Sequence, residues 1–168
     1  MENEMEPAQR LEAWFARYAD EILRVCFVCL RDIGEAEDAM QDTIIKAWRH
    51  MAQWNGQGER AWLMRIAVNT CRDYQRSRWF RHTDMRRALE ELPPQTLAVL
   101  PEDHHLLMDV CRLPDKEKQA ILLYYYQEMT LQETAACLGI SKSAVHKRLL
   151  KAQRRLRNRL EGRSLGDE

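Results

Sequence analysis

No run of apolar residues approaches the roughly 20 that a membrane-spanning helix needs. The acidic opening Met1-Glu-Asn-Glu-Met-Glu6 has no basic segment leading into an apolar core. A cytoplasmic chain without direct membrane insertion is therefore expected. Glycine and proline are scarce, 6 and 5 among 168 residues, and strand signals are missing, which leaves an all-α reading. The five cysteines, at 26, 29, 71, 111 and 137, are odd in number, and in a reducing compartment they do not form a disulfide framework. Cys26-Phe-Val-Cys29 sits inside the apolar run Val25 to Leu30 and lacks the second ligand pair of a structural zinc site. His104 and His105, adjacent in sequence, point to different helix faces. No nucleophile with a base, glycine-rich phosphate loop or catalytic carboxylate pair is found. Neither an enzyme, a cofactor, a metal nor a small-molecule substrate is expected.

Net charge is also missing, with 26 basic residues balancing 26 acidic ones. The balance is not uniform along the chain. Residues 1–42 carry 4 basic and 11 acidic groups, 43–88 carry 10 and 3, 89–140 carry 3 and 9, and 141–168 carry 9 and 3. Exposed charges are screened beyond about 8 Å at physiological salt, so a polyanion meets the two basic blocks locally rather than the neutral total.

The most specific signal runs from Thr130 to Arg148. Thr130 with Glu133 forms a capping box, Gly139 suits a left-handed turn, and Ser141 can cap a following helix. Ala135, Gly139 and Val145 stand where two short helices cross and turn. This is the spacing of a helix-turn-helix, whose second helix enters the major groove of DNA. Its outward positions read Lys142, Ser143, His146, Lys147 and Arg148.

Three further helices fill the first half, over about 8–30, 35–52 and 60–78, separated by Asp32-Ile-Gly34 and Trp54-Asn-Gly-Gln-Gly58. Pro93, Pro94 and Pro101 mark a linker. A helix then opens at Leu113-Pro114-Asp115 and runs through Gln127, and a basic helix ends near Leu160, with Val145, Leu149, Ala152, Leu156 and Leu160 on one face. In the second helix Ala36, Met40, Ala47 and Met51 can face inward, while Asp38, Gln41, Asp42, Ile45 and Arg49 share the other side. In the third, Trp62, Ile66, Asn69, Asp73 and Arg76 line one side, with Arg65, Arg72 and Arg78 adding charge. Cationic groups beside aromatic surface suit single-stranded nucleic acid. Tryptophans at helical spacing are commonly core, which assigns Trp48 and Trp62 to packing, whereas Trp54 lies in a loop that is harder to bury.

These motifs, in this order, closely resemble the extracytoplasmic-function class of bacterial sigma factors over about residues 15–160. Ala36-Glu-Asp-Ala-Met-Gln-Asp42 is similar to the polymerase-binding helix of sigma region two. Ala61-Trp-Leu-Met-Arg-Ile-Ala-Val-Asn69 is similar to the promoter-melting helix, and Leu113 to Leu160 to sigma region four. The resemblance implies two small helical domains, 1–78 and 104–162, joined by a flexible linker over 79–103, with a tail over 163–168. It implies that Glu37, Asp38, Gln41, Asp42 and Ile45 dock on the clamp helices of bacterial core RNA polymerase. Trp54 and Asn69 would hold a base flipped from the minus-ten element, beside Trp62, with Arg65, Arg72 and Arg76 on the backbone. His146, Lys147 and Arg148 would read the minus-thirty-five element, with Lys142, Ser143 and Lys151 near phosphates and Arg148 on a guanine. Promoter DNA and an anti-sigma factor are the further partners implied.

Three departures from the family pattern bear on specificity: His146 stands where a basic residue is usual, Thr134 where an aliphatic one is, and the Trp54 to Arg60 loop is shorter than is common. A rival reading is a stand-alone DNA-binding regulator whose amino-terminal half senses or dimerises, in which the acidic stripe of the second helix is merely solvated and the tryptophans are core.

Overall fold

The computed structural model describes residues 5–77, 90–91 and 104–166. Two compact units divide the chain, Met1–Leu92 and Pro93–Glu168. The linker expected over 79–103 lies outside the described residues, Glu90 and Glu91 apart, as does Arg78.

In the first unit, α1 (Pro7–Leu30), α2 (Ile33–His50) and α3 (Glu59–Ser77) pack on one another. Pro7 starts α1, where its missing N–H costs nothing. The half of α1 from Ile22 to Leu30 is buried all round, as its nearly continuous apolar run requires. Its one charged member, Arg24, is 5% exposed, and burial pushes its guanidinium below the ordinary value against the pull of Glu21 and Asp20. Cys26 and Cys29 are buried in this run, and Cys71 of α3 is buried as well.

Helix α2 begins where the Asp32 carboxylate accepts from the Glu35 N–H at 2.9 Å. Its inward residues are small: Ala36, Ala39, Thr43 and Ala47. The Thr43 hydroxyl donates to the Ala39 carbonyl at 2.7 Å, so no polar group is stranded by that burial. Met40, expected inside, is only half-buried, and Ala39 and Thr43 take that space. A 3-10 turn, Met51–Gln53, leads into the connection to α3.

The second unit comprises α4 (His104–Cys111), α5 (Asp115–Ile121), α6 (Leu131–Leu138) and α7 (Lys142–Gly166). The helix expected through Gln127 is α-helical only to Ile121 and continues as a π-helical turn over Leu122–Tyr126, closed by Gln127 N–H donating to the Leu122 carbonyl at 3.0 Å. With that wider turn Leu122, Leu123 and Gln127 are all buried. Val145, Leu149 and Ala152 of α7 close the core against Leu107, Val110, Ile121 and Leu138.

Helix α7 continues to Gly166 rather than ending near Leu160, and the reason is electrostatic. Asp109, 4% exposed, accepts from Arg163 at its carboxylate and from Arg159 at its backbone carbonyl, the latter at 2.9 Å. One turn earlier, Arg155 pairs with buried Glu117 at 2.9 Å. Three arginines at intervals of four thus face the fold. Removing the charge at Asp109 leaves two partly exposed guanidinium groups without their acid, so Asp109→Asn should lower the stability of this unit by about 1–3 kcal/mol in urea unfolding. Unchanged stability would mean that solvent screens these pairs completely.

Candidate partner-binding and nucleic-acid surfaces

Because α2 buries small residues, its large ones face outward. Glu37, Asp38, Gln41, Ile45, Trp48 and Arg49 are exposed, and Ile45 and Trp48 are among the most exposed large apolar residues, at 47% and 48%. Packing had been expected for Trp48, yet it stands three residues beyond Ile45 and seven beyond Gln41, on the outer stripe. That spacing was the signal in the sequence, masked by the tendency of tryptophan to be core. Asp42 differs from its neighbours. It is half-buried, and it accepts from the Tyr74 hydroxyl of α3 at 2.6 Å. Burial, then the Asp42 carboxylate and more weakly Asp38, raise the Tyr74 hydroxyl well above its ordinary pKa. Asp42 therefore ties α2 to α3 as well as facing the stripe.

The connection between α2 and α3 is organised around three indoles. Trp14 of α1, 8% exposed, meets Trp54 edge-to-face at 4.8 Å and 82°, and Trp62 at 6.0 Å and 67°. Trp54 and Trp62 are thus both anchored on α1 and both half-buried. The Trp54 indole N–H donates to the Gln57 carbonyl at 3.0 Å, and Gln57 N–H donates to the Asn55 side chain at 3.0 Å. Tyr18 donates to Glu59 at 3.1 Å and Arg60 pairs with Glu21 at 2.8 Å, which fixes the start of α3 on α1. Along α3, Arg65, Asn69 and Arg76 are exposed and Arg72 is half-buried, with a guanidinium nitrogen 3.5 Å from the Asn69 side-chain oxygen Oδ1. Asp73, the acid in this basic row, is matched by Lys46 at 3.4 Å and Arg76 at 3.5 Å, so the row keeps its cationic character. Positions 62, 65, 69, 72 and 76 form one stripe, about 20 Å long at 1.5 Å per residue.

In the second unit both bonds of the capping box are made, Glu133 N–H to the Thr130 hydroxyl at 3.1 Å and Thr130 N–H to the Glu133 carboxylate at 2.9 Å. Gly139 takes φ 66° at the turn, and the Ser141 hydroxyl accepts from Ala144 N–H at 3.1 Å to start α7. Thr134 is buried, its hydroxyl without a hydrogen-bond partner, which accounts for an aliphatic residue being usual there. Lys142, Ser143, His146, Lys147 and Lys151 are exposed, while Arg148 is half-buried on the flank next to the core stripe. Leu150, 49% exposed, shares the outward side with Lys147, Lys151 and Arg154 and was not foreseen. Of the nine basic residues after 140, three pair with buried acids of the fold, so the remaining charge lies mainly at the start and middle of α7 among the described residues.

Among the described residues no group of three or more His, Cys, Asp or Glu side chains is placed to hold a metal ion, and no helix is long and apolar enough to cross a membrane.

Residues 14–81 match the family model for sigma-70 region 2, and residues 111–158 that for sigma-70 region 4. The chain is 30% identical to the ECF RNA polymerase sigma factor SigL of Mycobacterium tuberculosis over 162 residues, 92% of this chain and 90% of SigL. It spans only 37% of another curated relative, the "Probable RNA polymerase sigma factor RfaY" of Xanthomonas campestris, at 28% identity over 83% of this chain. Among solved structures, CnrH in complex with the cytosolic domain of CnrY is similar at a TM-score of 0.70 and 25% identity, covering 90% of this chain and 88% of CnrH. The sigma factor RpoE in complex with the anti-sigma factor NepR, from Bartonella quintana, has the same fold at a TM-score of 0.69 and 20% identity, covering 89% and 96%. Two helical units that match sigma-70 regions 2 and 4 define a sigma factor. The chain belongs to the extracytoplasmic-function class of sigma factors.

The link between Asp42 and Tyr74 can be measured apart from any partner. Tyr74→Phe should lower the stability of the first unit by about 0.5–1.5 kcal/mol, and in a double-mutant cycle with Asp42→Ala the two losses should not add. Because the fold holds the Tyr74 hydroxyl protonated beyond its ordinary range, this contribution is fully present below about pH 10 and is lost as pH rises further. Additive losses would place the bond outside the fold's energetics.

Proposed function

We propose that the chain directs core RNA polymerase to promoters carrying two spaced elements. The outer face of α2 docks on the clamp helices of the largest polymerase subunit, the Trp54 connection and the α3 stripe open and hold the minus-ten element, and the start of α7 reads the minus-thirty-five element. The observation that carries this reading is the outer face of α2, where Asp38, Gln41, Ile45 and Trp48 stand exposed opposite a face of buried small residues. An apolar pair rimmed by polar groups is what a protein interface requires, and it is not the merely solvated stripe expected under the rival reading. In this reading Asp42 has both a docking and a structural role, and Glu37 lies at the edge of the face. Trp54 and Asn69 hold an unpaired base, Trp62 supports Trp54 through Trp14, and Arg65, Arg72 and Arg76 contact phosphates, which position the strand without reading it. An anti-sigma factor that covers these faces is supported by class membership and by the similarity in fold to a sigma factor solved with one.

Transcription in vitro with core polymerase and genomic DNA from the source organism tests the whole: transcript starts should share two spaced upstream elements, and an absence of specific starts beyond core alone would defeat the reading. Within it, Trp48→Ala should weaken polymerase binding by at least about 30-fold, the size of a buried aromatic anchor, with helicity by circular dichroism unchanged. Binding at parental strength would move the docking face elsewhere. On the recognition helix, Arg148→Ala should cost about 1–3 kcal/mol at a single base step of the minus-thirty-five element. Lys147→Ala, by contrast, sits wholly in the exposed row and provides the comparison for a residue that reaches the groove without rearrangement. Uniform loss across all sequences for Arg148→Ala would make that residue a phosphate contact.

A further inference from the structure

The first turns of α1 reach over the connection between α2 and α3. There the Arg10 guanidinium lies over the Trp54 ring, 5.4 Å from its centroid. Trp14 packs on the same ring at 4.8 Å and nearly perpendicular, and the Trp54 N–H is taken up by the Gln57 carbonyl. Of the groups around this indole, Trp14 is core and the Gln57 carbonyl is backbone. Arg10 is the one of the three that is a side chain outside the core. It is half-buried and on a long flexible stem, and among the described residues no carboxylate pairs with it. The aromatic surface available to an unpaired base is therefore already covered by a cation of the chain itself.

We propose that Arg10 is a positioning residue of the unpaired-base site: it occupies the face of Trp54 in the free chain, yields it to a base extruded from the opened strand, and moves onto a phosphate flanking that base. The inference rests on the reading of the Trp54 connection given under Proposed function. The exchange is physically reasonable because a guanidinium over a half-exposed indole gains less than a nucleobase stacked on the same face. The displaced cation is left beside a polyanion, where release of a condensed counterion favours its new contact. In the free chain the same contact keeps an exposed aromatic face covered.

The test uses the full chain labelled with 5-fluorotryptophan, its Trp54 resonance assigned through Trp54→Phe. The chain is then assembled with core polymerase on two templates that carry a promoter recovered by transcription in vitro, one fully duplex and one pre-opened across the minus-ten element. Arg10→Ala should shift the Trp54 resonance of the free chain. It should also weaken binding to the pre-opened template and reduce the log–log salt slope by about 0.7, one single-strand phosphate contact. Arg10→Lys should restore the slope, since a charge suffices for phosphate, without restoring the resonance. An unchanged slope for Arg10→Ala, or a loss of equal size on a probe holding only the minus-thirty-five element, would overturn the role of Arg10 while leaving the base site intact. A parental holoenzyme that does not prefer the pre-opened template would instead overturn the base site, and Arg10 with it.

Discussion

The inner face of α2 is built from Ala36, Ala39, Thr43 and Ala47, all at 0% exposure, and much of the first unit follows from that. Helix axes separate by 8–10 Å according to the side chains between them, so a face of small residues lets α2 lie close to both α1 and α3. Nothing large on α2 then finds room inside. Ile45 and Trp48 are driven outward, into line with Asp38 and Gln41, and the exposed apolar pair is a consequence of how the core closes. The small inner face and the large outer one are two sides of one packing solution.

Charge is divided in a comparable way between holding the fold and meeting a partner. Asp42, Asp109 and Glu117 are acids with partners inside their own units, and Arg155, Arg159 and Arg163 are the partners of the last two. What remains outside is sorted by surface: acidic and apolar on the exposed side of α2, basic along α3 and on the first turns of α7. A neutral total is therefore compatible with two cationic surfaces, because screening lets a polyanion sense only the nearer charges. The paired arginines also explain why α7 outlasts its apolar periodicity. Beyond the buried Ala152 it is tied to Asp109 through Arg159 and Arg163, while Leu160 is exposed.

The tryptophans separate by environment, not by residue type. Trp14 is core and carries Trp54 and Trp62 on its rim, so the two half-buried indoles proposed to meet a strand are supported by a third in the interior. A base site needs this kind of backing, since a stacking surface that moves on contact forfeits the advantage of being preformed. Trp48, on another helix, has no aromatic partner among the described residues and stands exposed on the outer face of α2.

The all-helical class, the three helices of the first half, the helix-turn-helix and the exposed stripe of α2 were readable from sequence, because the signals are local. A capping box acts over three residues, a left-handed turn over one, and amphipathic spacing over two turns, so Thr130, Gly139, Ser141 and the Asp38–Gln41–Ile45 stripe could be placed without knowledge of any distant contact. Tertiary structure decided the rest. Whether Trp48 was buried depended on the size of residues on the opposite side of its helix. The burden on Asp42 came from Tyr74, 32 positions away, the length of α7 from Asp109, 54 positions before Arg163, and the covering of Trp54 from Arg10 at the far end of α1. Periodicity tells which side of a helix a residue occupies; only the packed chain determines what stands on that side to meet it.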